Sequence, residues 1–548
     1  MASSFSMMLH KFLSILISVL DTLLALLLTV IFVPVLFLLW LLNETVRVCL
    51  IAPILRVTYG DRLWLVPDGA DNVWHFKKFG NSRNMLIITI YETKIDPEEY
   101  QKNFNARVLN HIDMKTGVKS YQKLKQIYTS KLGYNCWKRD ENFDVRNHVK
   151  VLHSNNKDGH ILTESAVLKV LGQLTDDIVN KPQWEDLIIT DFVYDEDVEE
   201  MVDGRVIKLK PGVEVRSARI FRCHHGIMDG ASYLQMTSIM TDGDFPFSAD
   251  PKIPLIRNKW RRYLVTLGCF LFGVKTAMRT VIVAAGVQNR FVTRQFSGNT
   301  NHSWSRPIQL ERIKEIKGVT RSSVPTILAS VIAGALRKLD ESYPVLKEGK
   351  DCDRGQEGGE VFAKPSDELL MGMIGAVLPY KDVAPKNRYT VVNFTANTSP
   401  CTRLRRLEAF DREMKGLAAK PDFLVNLWMF QIFGRFPAFF VQNMMKNGGS
   451  PVVISNTPWA RRSVKMLGDP VQDLGGWVPL LAFSGLGILI TRYCETLRVC
   501  GVAEEACLSK EQLNFVIGEV QKEIMALSEE CAVVNKILNP DSIIPKKF

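Results

Sequence analysis

No C-x-x-C pair occurs among the ten cysteines of this 548-residue chain, and no G-x-S-x-G elbow or internal repeat at solenoid or propeller spacing appears in it. The first absence removes the commonest zinc-ligand spacing, and thiols scattered from Cys49 to Cys531 do not make a dense disulfide scaffold. Buried, reduced cysteines are expected, and no metal site. Without the elbow there is no sign of a covalent serine mechanism. No aromatic-plus-basic pattern of a nucleic-acid module is seen, so no nucleic-acid partner is expected. Histidine is scarce, at nine residues. Hydrophobic residues at 46% and charged residues at 23% argue against a disordered, collagen-like or polytopic membrane chain. The net charge of +11 favours anionic partners such as phospholipid headgroups or nucleotide phosphates without choosing among them.

What is present begins with an apolar run from Phe12 to Leu42, interrupted by Asp21. Leu23 to Leu42 alone carries no charge, and at about 1.5 Å per residue it spans the roughly 30 Å of bilayer hydrocarbon. A transmembrane anchor is predicted over 1–55. The run is longer than the apolar region of a signal peptide, and no small-residue cleavage site follows it. Pro34 leaves open a kinked helix or a re-entrant hairpin. Lys11 before the run and Arg47, Arg56 and Arg62 after it weakly place the body on the cytoplasmic side. No second uninterrupted span of that length follows.

Short apolar, β-branched runs such as Met85–Tyr91 (MLIITIY) and Leu187–Val193 (LIITDFV) read as strands, with helical patterns such as Glu164–Val179 between them. The body is therefore α/β. At Ile256–Arg262, IRNKWRR gathers basic residues around Trp260 ahead of the apolar Tyr263–Phe272. That order suits an interfacial element, and equally a buried helix with a solvated start. Asp351–Glu360 (DCDRGQEGGE) reads as a polar surface loop.

The densest chemistry is FRCHHGIMDGAS at Phe221–Ser232, directly after the strand-like VEVRSARIF. A strand running into such a turn points imidazoles at a cavity. One of them, His225, can take the proton of an attacking hydroxyl and pass it to a leaving group. Asp229 can hold the turn through a basic residue or backbone amides, and Gly226 and Gly230 permit backbone angles that other residues resist. On spacing alone, a structural His pair beside a loop accounts for the pattern equally well.

His224, His225, Asp229 and Gly230 spell HHxxxDG, which resembles the active-site motif of the wax ester synthase/diacylglycerol acyltransferase family, within the CoA-dependent acyltransferases. Weaker likenesses follow in the family's order. PQWE at Pro182–Glu185 is similar to its P-x-W-E, Val324–Leu339 to its "GALR" helix, and ISNTP at Ile454–Pro458 to its SN-x-P-G-P, with Trp459 and Ala460 in place of the last Gly-Pro. Gly485–Tyr493 and Leu497–Gly501 resemble its C-terminal strand pair, so the likeness runs from about Tyr59 to the end.

The resemblance implies an α/β fold of two chloramphenicol-acetyltransferase-like subdomains with an active-site tunnel between them, behind the transmembrane helix. The expected division is 1–55 anchor, 56–250 N-terminal subdomain with HHxxxDG, 251–300 crossover or interfacial segment, and 301–548 C-terminal subdomain. By resemblance His225 is the general base, His224 and Asp229 shape the turn, and Gly230 and Asn456 contact substrate. Asn456 reads otherwise as a turn cap. The implied activity is transfer of a long-chain acyl group from acyl-CoA to a fatty alcohol or a diacylglycerol, at a lipid membrane such as the endoplasmic reticulum with the body facing the cytosol. A thioester is already activated, so no further cofactor is expected. Two alternatives stand beside it. One is an acyl-CoA or lipid-binding membrane protein without turnover. The other is a glycerophosphate-type acyltransferase, since His224 and Asp229 satisfy H-x-x-x-x-D, although that family's F-P-E-G-[ST] segment does not occur here.

Overall fold

The computed structural model describes the chain apart from residues 1, 76–82, 153–160, 177, 197, 203–204, 210–214, 244–257, 287–288, 293–296, 346–366, 377–383, 400, 419–421, 446–448, 482–483 and 539–548. The polar segment 351–360 thus lies outside the described residues. In chain order the elements that build the site are α1 (Ala2–Thr45), β1 (Asn84–Tyr91), β2 (Trp184–Val193), β3 (Arg216–His224), α2 (Gly230–Met240) and α3 (Lys259–Gly286). There follow β4 (Thr300–Trp304), α4 (Val324–Ser342), β5 (Glu368–Ala376), β6 (Tyr389–Asn397), α5 (Asp422–Phe433) and α6 (Ala438–Met445). The chain ends with β7 (Val452–Pro458), β8 (Asp469–Trp477), β9 (Leu486–Tyr493), β10 (Thr496–Glu504) and α7 (Lys510–Leu538).

Two mixed sheets carry these elements. The first runs β8-β1-β3-β2 through its centre, all antiparallel, and the second runs β4-β10-β9-β7-β5-β6 with parallel pairing at β5-β7 and β7-β9. β1 shows why its run is apolar throughout rather than alternating. Leu86, Ile88 and Ile90 face one way, into a core shared with Val453, Leu489 and Val502 of the second sheet. Met85, Ile87 and Tyr91 face the other way, against Phe221, Tyr233 and Trp184. A strand buried on both faces leaves no polar alternation to read. The second half has its own core, where α4 and α7 cover the sheet with Ile327, Leu336, Val516 and Val520.

One strand departs from the expected division at residue 301. β8 lies between β7 and β9 in sequence, yet it pairs with β1 of the first sheet, Leu474 opposite Thr89 and Trp477 opposite Leu86. The second half therefore completes the first sheet, and the two share a core instead of meeting as separate bodies.

α1 passes Pro34 without interruption and continues through a wider turn at Val46–Ile51 into a helix at Ala52–Tyr59, so no re-entrant hairpin forms. Residues 15–62 form one helical run that, among the described residues, is long and apolar enough to cross a membrane unaided, and 11% of its most apolar stretch is buried. Its far end is tied to the body by Arg47, which pairs with Glu44 at 3.2 Å and donates to the Val66 carbonyl at 2.6 Å. The described part of segment 251–300 is dominated by α3, which packs along α1.

Beneath β3 lies a fully buried ion pair. Arg219 on β3 donates to Asp186 at 2.7 Å, to the Tyr100 hydroxyl at 2.6 Å and to the Tyr233 hydroxyl at 2.8 Å. Burial alone disfavours the Arg219 charge, and the facing Asp186 more than reverses this, so the guanidinium is held well above its ordinary pKa. The cluster joins β2, β3 and α2 in one polar knot. Arg219→Ala leaves Asp186 buried and unpaired, a change that typically costs about 3–5 kcal/mol. Urea unfolding of Arg219→Ala is expected to show that loss, and an unchanged midpoint would mean the knot does not hold the sheet.

Candidate active site

β3 delivers the two histidines. Its ladder to β1 and β2 is extended past its end, where the His224 amide donates to the Gln183 carbonyl at 2.9 Å and the His225 amide to the Arg83 carbonyl at 3.0 Å. The chain then turns, with the Ile227 amide returning to the His224 carbonyl at 2.9 Å. Asp229 caps α2: one carboxylate oxygen accepts from the Ser232 amide at 2.9 Å and the other from the Arg388 amide at 2.8 Å. Of the two partners expected for Asp229, it is the backbone amides that these bonds use. An acidic N-cap also sits favourably on the helix dipole.

Neither Gly226 nor Gly230 has a positive φ, so the expected backbone-angle role is not the one they play. A Cβ on Gly226 meets the His75 Nε2 at 2.4 Å and the His224 Nδ1 at 3.0 Å, whereas a Cβ on Gly230 meets nothing within 4 Å. Gly226 is glycine because a third histidine presses on it. Gly230 faces open space.

That third histidine begins a stack. His75 lies on Tyr128 with ring centroids 3.6 Å apart and on His224 at 4.8 Å, and neither of its nitrogens has a hydrogen-bond partner among the described residues. His224 accepts the Gly226 amide on Nδ1 at 3.1 Å, which leaves its proton on Nε2. His225 instead stacks on Trp74 at 4.2 Å and meets the edge of Tyr389 at 5.2 Å. Its Nδ1 makes no hydrogen bond among the described residues. Burial pulls the His225 pKa down to about 3 and pushes His75 and His224 well below the ordinary imidazole value, so all three are neutral.

A second polar group braces the turn from below. Asn387 donates to the His225 carbonyl at 2.7 Å and to Asp71 at 2.9 Å. Asp71 pairs with Lys123 at 2.5 Å, and Lys123 also donates to the Ile227 carbonyl at 3.0 Å. Burial raises the Asp71 pKa to about 6 against the pull of Lys123.

Between the halves lies a cavity of about 440 Å³. His225, Asp229 and Gly230 line one wall, and Ser455, Asn456 and Thr457 of β7 face them, among mostly apolar neighbours. His224 is not in the lining. Asn456 sits within a strand, opposite Ile490 of β9, rather than on a turn. Trp459, where the motif departs from the family pattern, packs against Tyr233 at 5.5 Å and also lines the cavity. The charged side chains of the lining are Asp229, Arg461 and Arg492.

Sequence reading missed Asp71, Trp74, His75, Asn387 and Tyr389. Nothing in spacing ties Trp74–His75 to a motif 150 positions on, although an adjacent Trp-His pair in a chain with nine histidines was a usable hint.

Residues 387–524 match the family model of the WS/DGAT C-terminal domain. No curated protein matches the chain in sequence. Among solved structures, the wax ester synthase/diacylglycerol acyltransferase from Marinobacter aquaeolei VT8 matches with a TM-score of 0.52 at 14% identity, covering 84% of this chain and 98% of its own. A trichothecene 15-O-acetyltransferase from Fusarium sporotrichioides matches with a TM-score of 0.52 at 9% identity, over 85% of this chain and 95% of its own. The first condensation domain of the CDA synthetase matches with a TM-score of 0.50 at 12% identity, over 85% and 97%. At such identities the likeness is one of fold, the two-subdomain α/β fold shared by condensation domains and these acyltransferases, and the WS/DGAT C-terminal domain lies in its second half.

Two substitutions separate packing from cavity space. Gly226→Ala forces a methyl onto His75, and overpacking of this kind costs about 1–3 kcal/mol, so its melting temperature is expected to fall. Gly230→Ala is expected to melt like the parent while altering ligand affinity, because its methyl enters the cavity. Equal melting of both would refute the contact with His75.

The neutral histidines also set a pH dependence. Their folded pKa values lie below the unfolded value of about 6.5, so the unfolded chain takes up protons first as pH falls. Their contribution to stability is complete above that value and is lost on acidification towards pH 3, by up to ~1.4 kcal/mol per unit for each. Asp71, raised to about 6, acts in the opposite sense and is outnumbered. The urea midpoint is expected to drop between pH 7.5 and 5.5, and a constant or rising midpoint would contradict burial of these rings.

Proposed function

We propose that the chain is a membrane-anchored O-acyltransferase that moves a long-chain acyl group from acyl-CoA to a lipid hydroxyl, either a fatty alcohol or a diacylglycerol. The observation that carries this reading is the cavity itself: a mostly apolar space between two halves, lined by His225 and by Asn456. The WS/DGAT C-terminal domain and the acyltransferase fold support it. The long apolar α1 supports a membrane location, which we assign to the endoplasmic reticulum with the body in the cytosol.

In this mechanism the acceptor hydroxyl attacks the thioester carbonyl while the neutral imidazole of His225 takes its proton. The C–O bond forms, the C–S bond breaks, and the imidazolium returns the proton to the departing CoA thiolate. Burial makes His225 a weak base at rest but keeps it always in the basic form. The imidazolium that appears in the transition state is met by the face of Trp74, which favours a cation. Asn456 offers an amide to the acyl or acceptor oxygen. Arg461 and Arg492 bring positive charge to the cavity wall, suited to the phosphates of CoA. Gly230 leaves room for substrate beside the ring.

Loss of a general base typically lowers rate by 10²–10⁴, or about 3–5 kcal/mol of barrier. His225→Ala is expected to lose ester formation on that scale while retaining its melting temperature and its acyl-CoA affinity. His224→Ala is expected to be milder, since that ring lies outside the cavity lining. The measurement is release of free CoA and ester with a panel of alcohols and diacylglycerols. Turnover close to the parent in a folded His225→Ala protein would end the mechanism, and absence of ester from the parent with every acceptor would favour a lipid-binding role.

A further inference from the structure

α3 does not read as a membrane span in sequence, because Lys275 and Arg279 interrupt it. Those are the only charged residues between Tyr263 and Ile282, and Asp21 is the only one between Phe12 and Asn43. The structure joins them. Lys275 forms an ion pair with Asp21, and the Thr29 hydroxyl donates to the Leu271 carbonyl at 2.7 Å, so α3 runs antiparallel along α1. On its other side Arg279 pairs with Asp422, at the start of α5, at 2.5 Å. Both charges in the apolar part of α3 are thus neutralised by a neighbouring helix, the arrangement ionisable groups adopt where water is scarce.

What α3 turns outward is apolar. Trp260, Leu264, Leu267, Phe270 and Ile282 are all more than half exposed. At its start the exposed Lys259 stands beside Trp260 and Tyr263, which touch edge to face at 6.4 Å. Cations with Trp and Tyr at a helix end are the usual anchors at the headgroup level. The apolar surface continues onto α5 and α6, where Ile432 and Phe439 are exposed at 41% and 66%. Near that point Asn43 at the end of α1 donates to the Arg435 carbonyl at 3.3 Å, so the surface is continuous with α1. The inner sides of α5 and α6 and the turn between them pack Phe430, Val441 and Phe436 around Trp74 and Tyr389, the two rings that hold His225.

We infer that α3, α5 and α6 form, together with α1, one lipid-facing surface seated in the bilayer, so that the body is not held by α1 alone. The helical layer between the lipid and the catalytic cavity is then a single helix thick. A lipid acceptor has a short path from the bilayer to His225, which an acceptor in water does not need. The inference rests on the reading of α1 as a membrane anchor. Its test reads lipid contact rather than ester formation, so the membrane placement and the acyltransferase reading can fail separately.

The test uses the full-length protein in vesicles of phosphatidylcholine and phosphatidylserine that include a phospholipid with an alkyne-tagged acyl chain. A benzophenone side chain replaces, one at a time, Leu38 on α1, Leu267, Phe270 and Ile282 on α3, Phe439 on α6, and Met114 on the body, all exposed positions. After illumination, lipid adducts at the α1, α3 and α6 positions are expected to exceed those at Met114 at least tenfold, with melting temperatures unchanged. Adducts at Leu38 with only background on α3 and at Phe439 would overturn the inference and leave a single tether. Adducts on α3 without any at Phe439 would overturn the part assigned to α6. Background at every position, Leu38 included, would overturn the anchor reading as well.

Discussion

The turn that carries His225 is gripped by three consecutive residues of the second half. Lys386 accepts from the Asp229 amide and the Ser232 hydroxyl, Asn387 donates to the His225 carbonyl, and the Arg388 amide donates to Asp229. Each bond is worth about 0.5–1.5 kcal/mol net, more where a carboxylate accepts. Their larger effect is geometric. With the turn clasped, the halves stand a fixed distance apart, and a cavity exists between them. The next residue, Tyr389, starts β6 and brings its ring edge to His225.

The site works by dryness. His75 and His224 are packed against one another and His225 against Trp74 and Tyr389, and burial outweighs every nearby polar group in setting their protonation. Each imidazole is thereby kept in its neutral form at ordinary pH, and His225 lies with its ring against Trp74. The same burial explains Gly226, which the close approach of His75 requires, and it separates the two motif histidines. His225 faces the cavity. His224, occupied by the Gly226 amide and the His75 ring, serves the wall behind it.

The helices at the edge of the fold follow a related rule, in which charge is admitted to apolar surroundings only in pairs. Asp21 with Lys275 and Arg279 with Asp422 pair the charges within the apolar stretches where these three helices pack side by side. The layer so formed backs directly onto the rings around His225.

Much of this was legible in the chain alone. The apolar run specified α1, because a helix of that length and composition needs no partner to be recognised. The runs at 85–91 and 187–193 specified strands, and HHxxxDG with its collinear companions pointed to the fold and to His225. What could not be read was whatever depends on residues distant in sequence meeting in space. The insertion of β8 into the first sheet, the stack of His75 on His224, the brace of Asn387 and the pairing of α3 with α1 all join segments at least 140 positions apart. Periodicity and local motifs report which face of a segment is apolar. Which partner covers that face, and which backbone amides satisfy a carboxylate such as Asp229, is decided only when the packed halves bring them within hydrogen-bond and van der Waals range.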